Sequence, residues 1–262
     1  RMWLDIGELN RGALADELDK TKYDKPSAVS IIRKFYGDFH DYLKGEGHDV
    51  VVHPFDWRRS LSESVKDFDE MMTRVIGHGQ QVRIVAHSMG GLLVRQWKIE
   101  NEQHWQAFKG RQGAKFIMLG TPWRGSHLIT EVLTGYSRRI KQLHLLDFKH
   151  SKRSLLKSLV KHDGLYDLLP LTDPRIDDLD TWRALEDAAG KRNMAPIPAA
   201  RLRYFTDTYK QSIEPHLEIQ SEDQDVIFYV AGNNKKTLND FEIKRSFFRG
   251  KYVDFKYTAE GD

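Results

Sequence analysis

Apolar residues fall along this chain in two patterns: short, nearly continuous runs, and longer stretches where they recur every three or four positions. The runs are Val50-Val51-Val52, Val82-Arg83-Ile84-Val85-Ala86, Phe116-Ile117-Met118-Leu119 and, much later, Val226-Ile227-Phe228-Tyr229-Val230. A run of this kind predicts a strand covered on both faces, as parallel strands are. Between the first pair of runs, Val65, Phe68, Met72 and Ile76 keep helical spacing, which predicts a helix over Leu61 to Ile76. Met89 to Trp105 reads as a second helix. Strand, helix, strand, helix, strand demands right-handed crossovers and a parallel sheet.

The alternation stops near Leu119. A long helical and loop-like stretch follows, punctuated by Pro170, Pro174, Pro196 and Pro198, before the strand at Val226. The expected architecture is α/β: an α/β-hydrolase core, mostly parallel sheet with helices on both faces. Residues 1–120 and 225–262 would form this core, and 121–224 a helical cap inserted after the third strand.

Length and composition narrow the classes. A chain of 262 residues can bury one large core. No apolar run reaches the roughly 18 residues of a membrane-spanning helix. The start, Arg1-Met2-Trp3-Leu4-Asp5, shows no secretory signal. The absence of cysteine excludes disulfides and thiolate metal sites, and fits a reducing compartment. A net charge of +3 is too small to argue for nucleic acid.

Charge is uneven, however. The stretch 138–162 holds Arg138, Arg139, Lys141, Lys149, Lys152, Arg153, Lys157 and Lys161 against one acid, Asp147. Leu155, Leu156, Leu159 and Val160 share a helical face there. A basic amphipathic helix can lie on an anionic membrane. The alternative is a helix that packs its leucines on the core and leaves its lysines in water. Few aromatic platforms interrupt the stretch, which again disfavours nucleic acid.

The chemistry concentrates at Val82-Arg83-Ile84-Val85-Ala86-His87-Ser88-Met89-Gly90-Gly91. A strand runs into a serine, then glycines, then a helix: the nucleophile-elbow arrangement, with Ala86 and Gly90 as the small residues either side. The bend lifts the Ser88 hydroxyl off the sheet edge and aims the Met89 backbone N–H at a developing oxyanion. Serine needs a histidine base and an orienting carboxylate. His87 leaves the elbow in the wrong direction and reads as structural, as does His53 at a strand end. Asp56 and Arg58 can form a partly buried ion pair or organise a turn over Trp57.

Four segments together resemble the lecithin:cholesterol acyltransferase family, which includes lysosomal phospholipase A2 and the phospholipid:diacylglycerol acyltransferases. They are Pro54-Phe55-Asp56-Trp57-Arg58-Arg59-Ser60, the elbow Ala86 to Gly91, Gly120-Thr121-Pro122-Trp123-Arg124-Gly125-Ser126, and Glu260-Gly261-Asp262. Phe55 stands where the family pattern has tyrosine. The resemblance implies Ser88 as nucleophile, Met89 N–H as an oxyanion donor and Asp262 as the triad acid, with Asp225, Asp240 and Asp254 as fallbacks. It places the triad histidine beyond residue 262 and a second oxyanion donor before Trp3. The expectation is therefore a segment of a longer protein, the rival being an inactive member.

The expected activity is that of a serine-dependent lipid esterase or acyltransferase. Ser88 would take an acyl group from a glycerophospholipid or acylglycerol and pass it to water or an alcohol. No metal or organic cofactor is expected, because the acyl-serine carries the intermediate. Peripheral contact with an anionic membrane would run through 138–162. The secreted and lysosomal relatives use disulfides, so a cysteine-free chain is expected in the cytoplasm. A non-lipid carboxylesterase and a catalytically silent scaffold are the alternatives.

Overall fold

The computed structural model describes residue 30 and residues 32–146, 150–191, 193–232, 236–248 and 250–259. Helix α1 covers Arg33–Gly45. Helix α2 covers Leu61–Gly77, close to its predicted span, and buries Leu61, Val65, Phe68 and Met72. Its N-cap is Ser60, whose hydroxyl accepts from Glu63 N at 3.2 Å and satisfies one orphan donor of the first turn.

Strand β1 is Arg83–His87, and helix α3, Met89–Glu100, follows after one residue. The helix expected to run on to Trp105 breaks at Asn101, and α4 covers Glu102–Lys109. Asn101 takes non-helical angles (φ −130°, ψ 53°), as asparagine does more readily than good helix formers. The break lets both tryptophans enter one core: the Trp97 and Trp105 rings meet edge-on at 6.0 Å, and Phe68 meets Trp97 at 5.5 Å.

Strands β2 (Lys115–Leu119) and β3 (Ile227–Val230) complete a parallel sheet of order β1-β2-β3. The strand expected at Val50–Val52 does not form. A strand exists by its ladder, and among the described residues β1 pairs only with β2, so this run has no neighbour to bond; Val51 is exposed.

The connection from β2 to β3 is helical. It contains α5 (His127–Leu133), α6 (Arg138–Leu146), α7 (Lys152–Leu159), α8 (Asp163–Tyr166) and α9 (Leu179–Ala189). A π-helical stretch, Tyr204–Lys210, follows a short α turn, Ala199–Arg203. Leu156, Trp182, Leu185 and Phe205 from this connection share one hydrophobic cluster with Trp97, Phe116 and Met118. Leu155, Leu156, Leu159 and Val160 are buried in that cluster, so the apolar face of α7 packs on the core; Lys157 stays exposed.

The sequence reading did not foresee the antiparallel hairpin of β4 (Thr237–Ser246) and β5 (Gly250–Thr258). Phe241 and Val253 are buried on one face. The other face carries an ion-pair grid: Lys244 Nζ lies 2.6 Å from Asp254, Lys256 Nζ 3.0 Å from Asp254, and Lys244 Nζ 3.4 Å from Glu242.

Candidate active site

Ser88 fills the single position between β1 and α3, with φ 54° and ψ −127°. Among the described residues it is the only non-glycine with positive φ. Holding a side-chain-bearing residue there costs roughly 1–3 kcal/mol, and such strain gathers at functional sites. The bend is fixed from both sides. Ser88 N donates to Leu119 O at 3.0 Å, carrying the β1–β2 ladder one residue further, and Gly91 N donates to Ser88 O at 3.1 Å. The Ser88 hydroxyl caps nothing, and among the described residues it makes no hydrogen bond. Met89 opens the helix, so its N–H is among the donors that α3 cannot satisfy internally.

The tight glycine is not the one the pattern singled out. A Cβ on Gly90 would stand 3.7 Å from Ala86 Cβ, an ordinary contact. A Cβ on Gly91 would stand 2.1 Å from Thr121 Oγ1. The elbow helix therefore rests directly on the turn after β2. That turn is itself stitched down: Gly120 N donates to Val230 O at 2.9 Å, and Tyr229 Oη and Trp123 N each donate to Thr121 O at 2.8 Å. Buried Arg95, on α3, donates to Trp123 O and to Tyr209 Oη (2.8 Å), and its guanidinium lies 5.1 Å over the Trp123 ring. Burial, the largest influence, raises the Tyr209 phenol far above its ordinary range, so it stays neutral.

The Asp56-Trp57-Arg58 segment does both things expected of it. Arg58 Nη2 and Asp56 Oδ2 pair at 2.7 Å with both side chains nearly buried, while Arg58 N donates to Asp56 Oδ1 at 3.1 Å and closes a turn. Gly164 of α8 lies so close that a Cβ there would stand 2.0 Å from Trp57 O. One residue past Ser60, Leu61 N donates to the buried Asp167 carboxylate at 2.7 Å, and Tyr204 Oη donates to its other oxygen at 2.8 Å.

The other candidates are placed as follows. His87 Nδ1 shares a 2.8 Å hydrogen bond with Tyr36 Oη of α1. His53 packs edge-on against Phe68 at 5.1 Å, and burial lowers its pKa. Asp262 lies outside the described residues. Of the fallback acids, Asp254 sits in the hairpin grid, Asp240 bonds Arg175 and Phe241 N, and the Asp225 carbonyl accepts from Lys115 Nζ. The basic side chains Arg138, Arg139 and Lys141 line a shallow cavity of about 430 Å³ with Val253, Phe255 and Tyr257; Ser88 is not in its lining.

Sequence reasoning passed over one cluster. His127, Asp173 and Asp240 bring ligand-type atoms within 4.8 Å of one another. Arg175 already serves both carboxylates, bonding Asp173 at 2.6 and 2.9 Å and pairing with Asp240. Burial lowers the His127 pKa, with Asp173 opposing it less strongly. The set reads as an ion-pair clasp between α5 and the hairpin. Its signal in sequence was absent, because residues so far apart meet only after folding.

A parallel sheet that delivers a serine into a strained bend at a helix start defines a mixed α/β protein of nucleophile-elbow type. The chain belongs to the lecithin:cholesterol acyltransferase family, whose profile matches residues 13–246. It is similar to the lysosomal phospholipase A and acyltransferase of Canis lupus familiaris, 31% identical over 124 residues, 45% of this chain and 29% of that protein. The Homo sapiens protein of the same name is 31% identical over 124 residues, covering 45% and 28%. The phosphatidylcholine-sterol acyltransferase of Gallus gallus is 32% identical over 81 residues, 29% of this chain and 19% of that protein. The chain thus spans less than a third of the length of the curated relatives it matches.

Proposed function

We propose that the chain carries the nucleophile of a serine-dependent lipid esterase or acyltransferase of α/β-hydrolase architecture. The observation that carries this reading is the strained Ser88 between strand and helix, with an unsatisfied helix-start donor beside it. Family membership supports lipid esters as the substrate class. Ser88 Oγ attacks the ester carbonyl, and the Met89 N–H stabilises the oxyanion. Collapse expels the alcohol portion, which leaves with the proton that the histidine base took from Ser88 Oγ, and gives an acyl-serine that water or a second alcohol then cleaves.

In this reading Asp262 orients a histidine beyond residue 262, and the helices within 121–224 form the cap that selects the acyl donor. The chemistry needs neither metal nor organic cofactor, and the protein works in the cytoplasm at membrane surfaces. A fluorophosphonate probe tests it on the protein extended past residue 262. Labelling that disappears in Ser88→Ala supports the proposal. A folded protein that never labels overturns it in favour of a silent scaffold.

A further inference from the structure

We infer that the β4–β5 hairpin is a membrane-inserting tip, with Phe247 and Phe248 entering the acyl region of an anionic lipid surface. The two rings are 98% and 92% exposed and pack edge-on against each other at 5.3 Å. Large side chains this exposed, side by side at the end of a ribbon, meet no core of their own, and exposed apolar patches mark interaction sites. The ribbon behind them is well anchored: Phe241 and Val253 are buried, and the Arg175 guanidinium lies 4.4 Å over the Phe241 ring.

Charge selects the occupant. The last cross-strand pairs before the tip are Ser246↔Gly250 and Arg245↔Lys251. Like charges facing each other destabilise a hairpin unless an anion lies near. Lys251 already pairs with Asp187 at 2.7 Å, both groups being exposed, so Arg245 is the cation that this pair leaves for a lipid phosphate. Strand rise is ~3.3 Å per residue, so this cationic collar sits within about 7 Å of the rings. That spacing suits rings buried ~5–10 Å at the boundary between headgroups and chains, with cations at phosphate level. Arg138, Arg139 and Lys141 lie further from the tip, where they line the cavity with Glu131, Val253, Phe255 and Tyr257, so the collar itself is the charge that would meet phosphate. The chain would thus meet the bilayer through this tip and collar, the apolar face of α7 being committed to the core.

The inference rests on the lipid reading for its occupant but is measured without turnover, so probe labelling at Ser88 and vesicle binding can fail independently. The chain has no cysteine, so Phe247→Cys accepts a single environment-sensitive fluorophore. Vesicles of phosphatidylcholine with phosphatidylserine should shift its emission to the blue and raise it several-fold, and pure phosphatidylcholine should do so much less. Phe247→Glu/Phe248→Glu should weaken co-sedimentation with the mixed vesicles at least tenfold with an unchanged melting temperature, and Arg245→Gln should reduce the preference for anionic lipid. Vesicle binding that leaves the fluorophore unmoved, or that survives the double glutamate change, overturns the inference. So does an emission shift that follows protein concentration without vesicles, which would assign the tip to a second copy of the chain.

Discussion

Gly91 of α3 lies against the buried side chain of Thr121, with no room between them for a methyl group. The elbow helix and the turn after β2 are thereby held as one unit, and the contact favours glycine at the third position after the serine. Gly91→Ala sets two effects against each other. Alanine gains about 1 kcal/mol in helix propensity. A Cβ that would stand 2.1 Å from Thr121 Oγ1 and 2.6 Å from Thr121 Cγ2 overpacks a site of stiff, β-branched geometry. Overpacking costs roughly 1–3 kcal/mol, so after the propensity gain the expected net loss is up to about 2 kcal/mol by urea denaturation. Thr121→Ala should recover much of it in the double variant. Additive losses would mean that the two residues do not share this contact.

Strain at Ser88 gives a second prediction. Glycine accepts φ 54° without penalty but loses more entropy on folding. Ser88→Gly should therefore be more stable than Ser88→Ala by about 1 kcal/mol, the larger strain term outweighing the entropic one. Both variants should fail to react with the fluorophosphonate probe. Equal stability of the two would show that the bend is not strained.

These contacts also mark what could be read in advance. The elbow was legible because it is local: strand, serine, glycines and helix follow one another within a dozen residues, and the parallel order follows from the crossovers. The importance of Gly91 over Gly90 was not, since Thr121 lies a strand and a helix further on. The Val50–Val52 run has strand composition, but pairing is a property of its neighbours. The β4–β5 hairpin escaped notice because its apolar positions are spaced unevenly, with a register shift between Leu238 and Asp240. The clasp of His127, Asp173, Arg175 and Asp240 has no sequence pattern at all.

Asp223 supplies a third prediction. It is buried just ahead of β3, and it binds Lys98 at 2.9 Å, Lys109 at 3.1 Å and Trp105 Nε1 at 3.1 Å. Burial alone would raise its pKa, but hydrogen bonds from Lys98, Lys109 and Trp105 together outweigh it and hold the carboxyl below its ordinary range. Stability from a depressed carboxyl is present above the unfolded pKa and is lost as pH falls through the folded one. Asp223→Ala strands the Trp105 N–H, while both lysine heads can turn to water. The expected cost is about 2–4 kcal/mol at neutral pH and much less in acid. Asp223→Asn, which keeps an acceptor for Trp105, should lose roughly half as much. A loss that does not change between pH 7 and pH 3 would show that the carboxylate charge is not what holds this corner.

Asp167 should do the opposite. Burial, the largest influence, raises its pKa from 3.8 to about 7, although Leu61 N–H and Tyr204 Oη both favour its charged form. Between those values the folded protein binds a proton that the unfolded chain does not. The stabilisation is therefore complete below the unfolded pKa and is lost as pH rises towards the folded one. For one proton the slope cannot exceed about 1.4 kcal/mol per pH unit. Denaturation midpoints measured from pH 4 to pH 8 should fall with pH more steeply in the parent chain than in Asp167→Asn, whose side chain does not titrate. Tyr204→Phe removes a donor to the charged form and should extend the falling region to higher pH. Matching slopes in the parent and the asparagine variant would mean that another group carries the proton. The direction matters for the fold: Asp167 joins the start of α2 to Tyr204 in the helical connection, so its ionisation lowers stability through the cost of burying a charge there, even as the two hydrogen bonds of the joint strengthen.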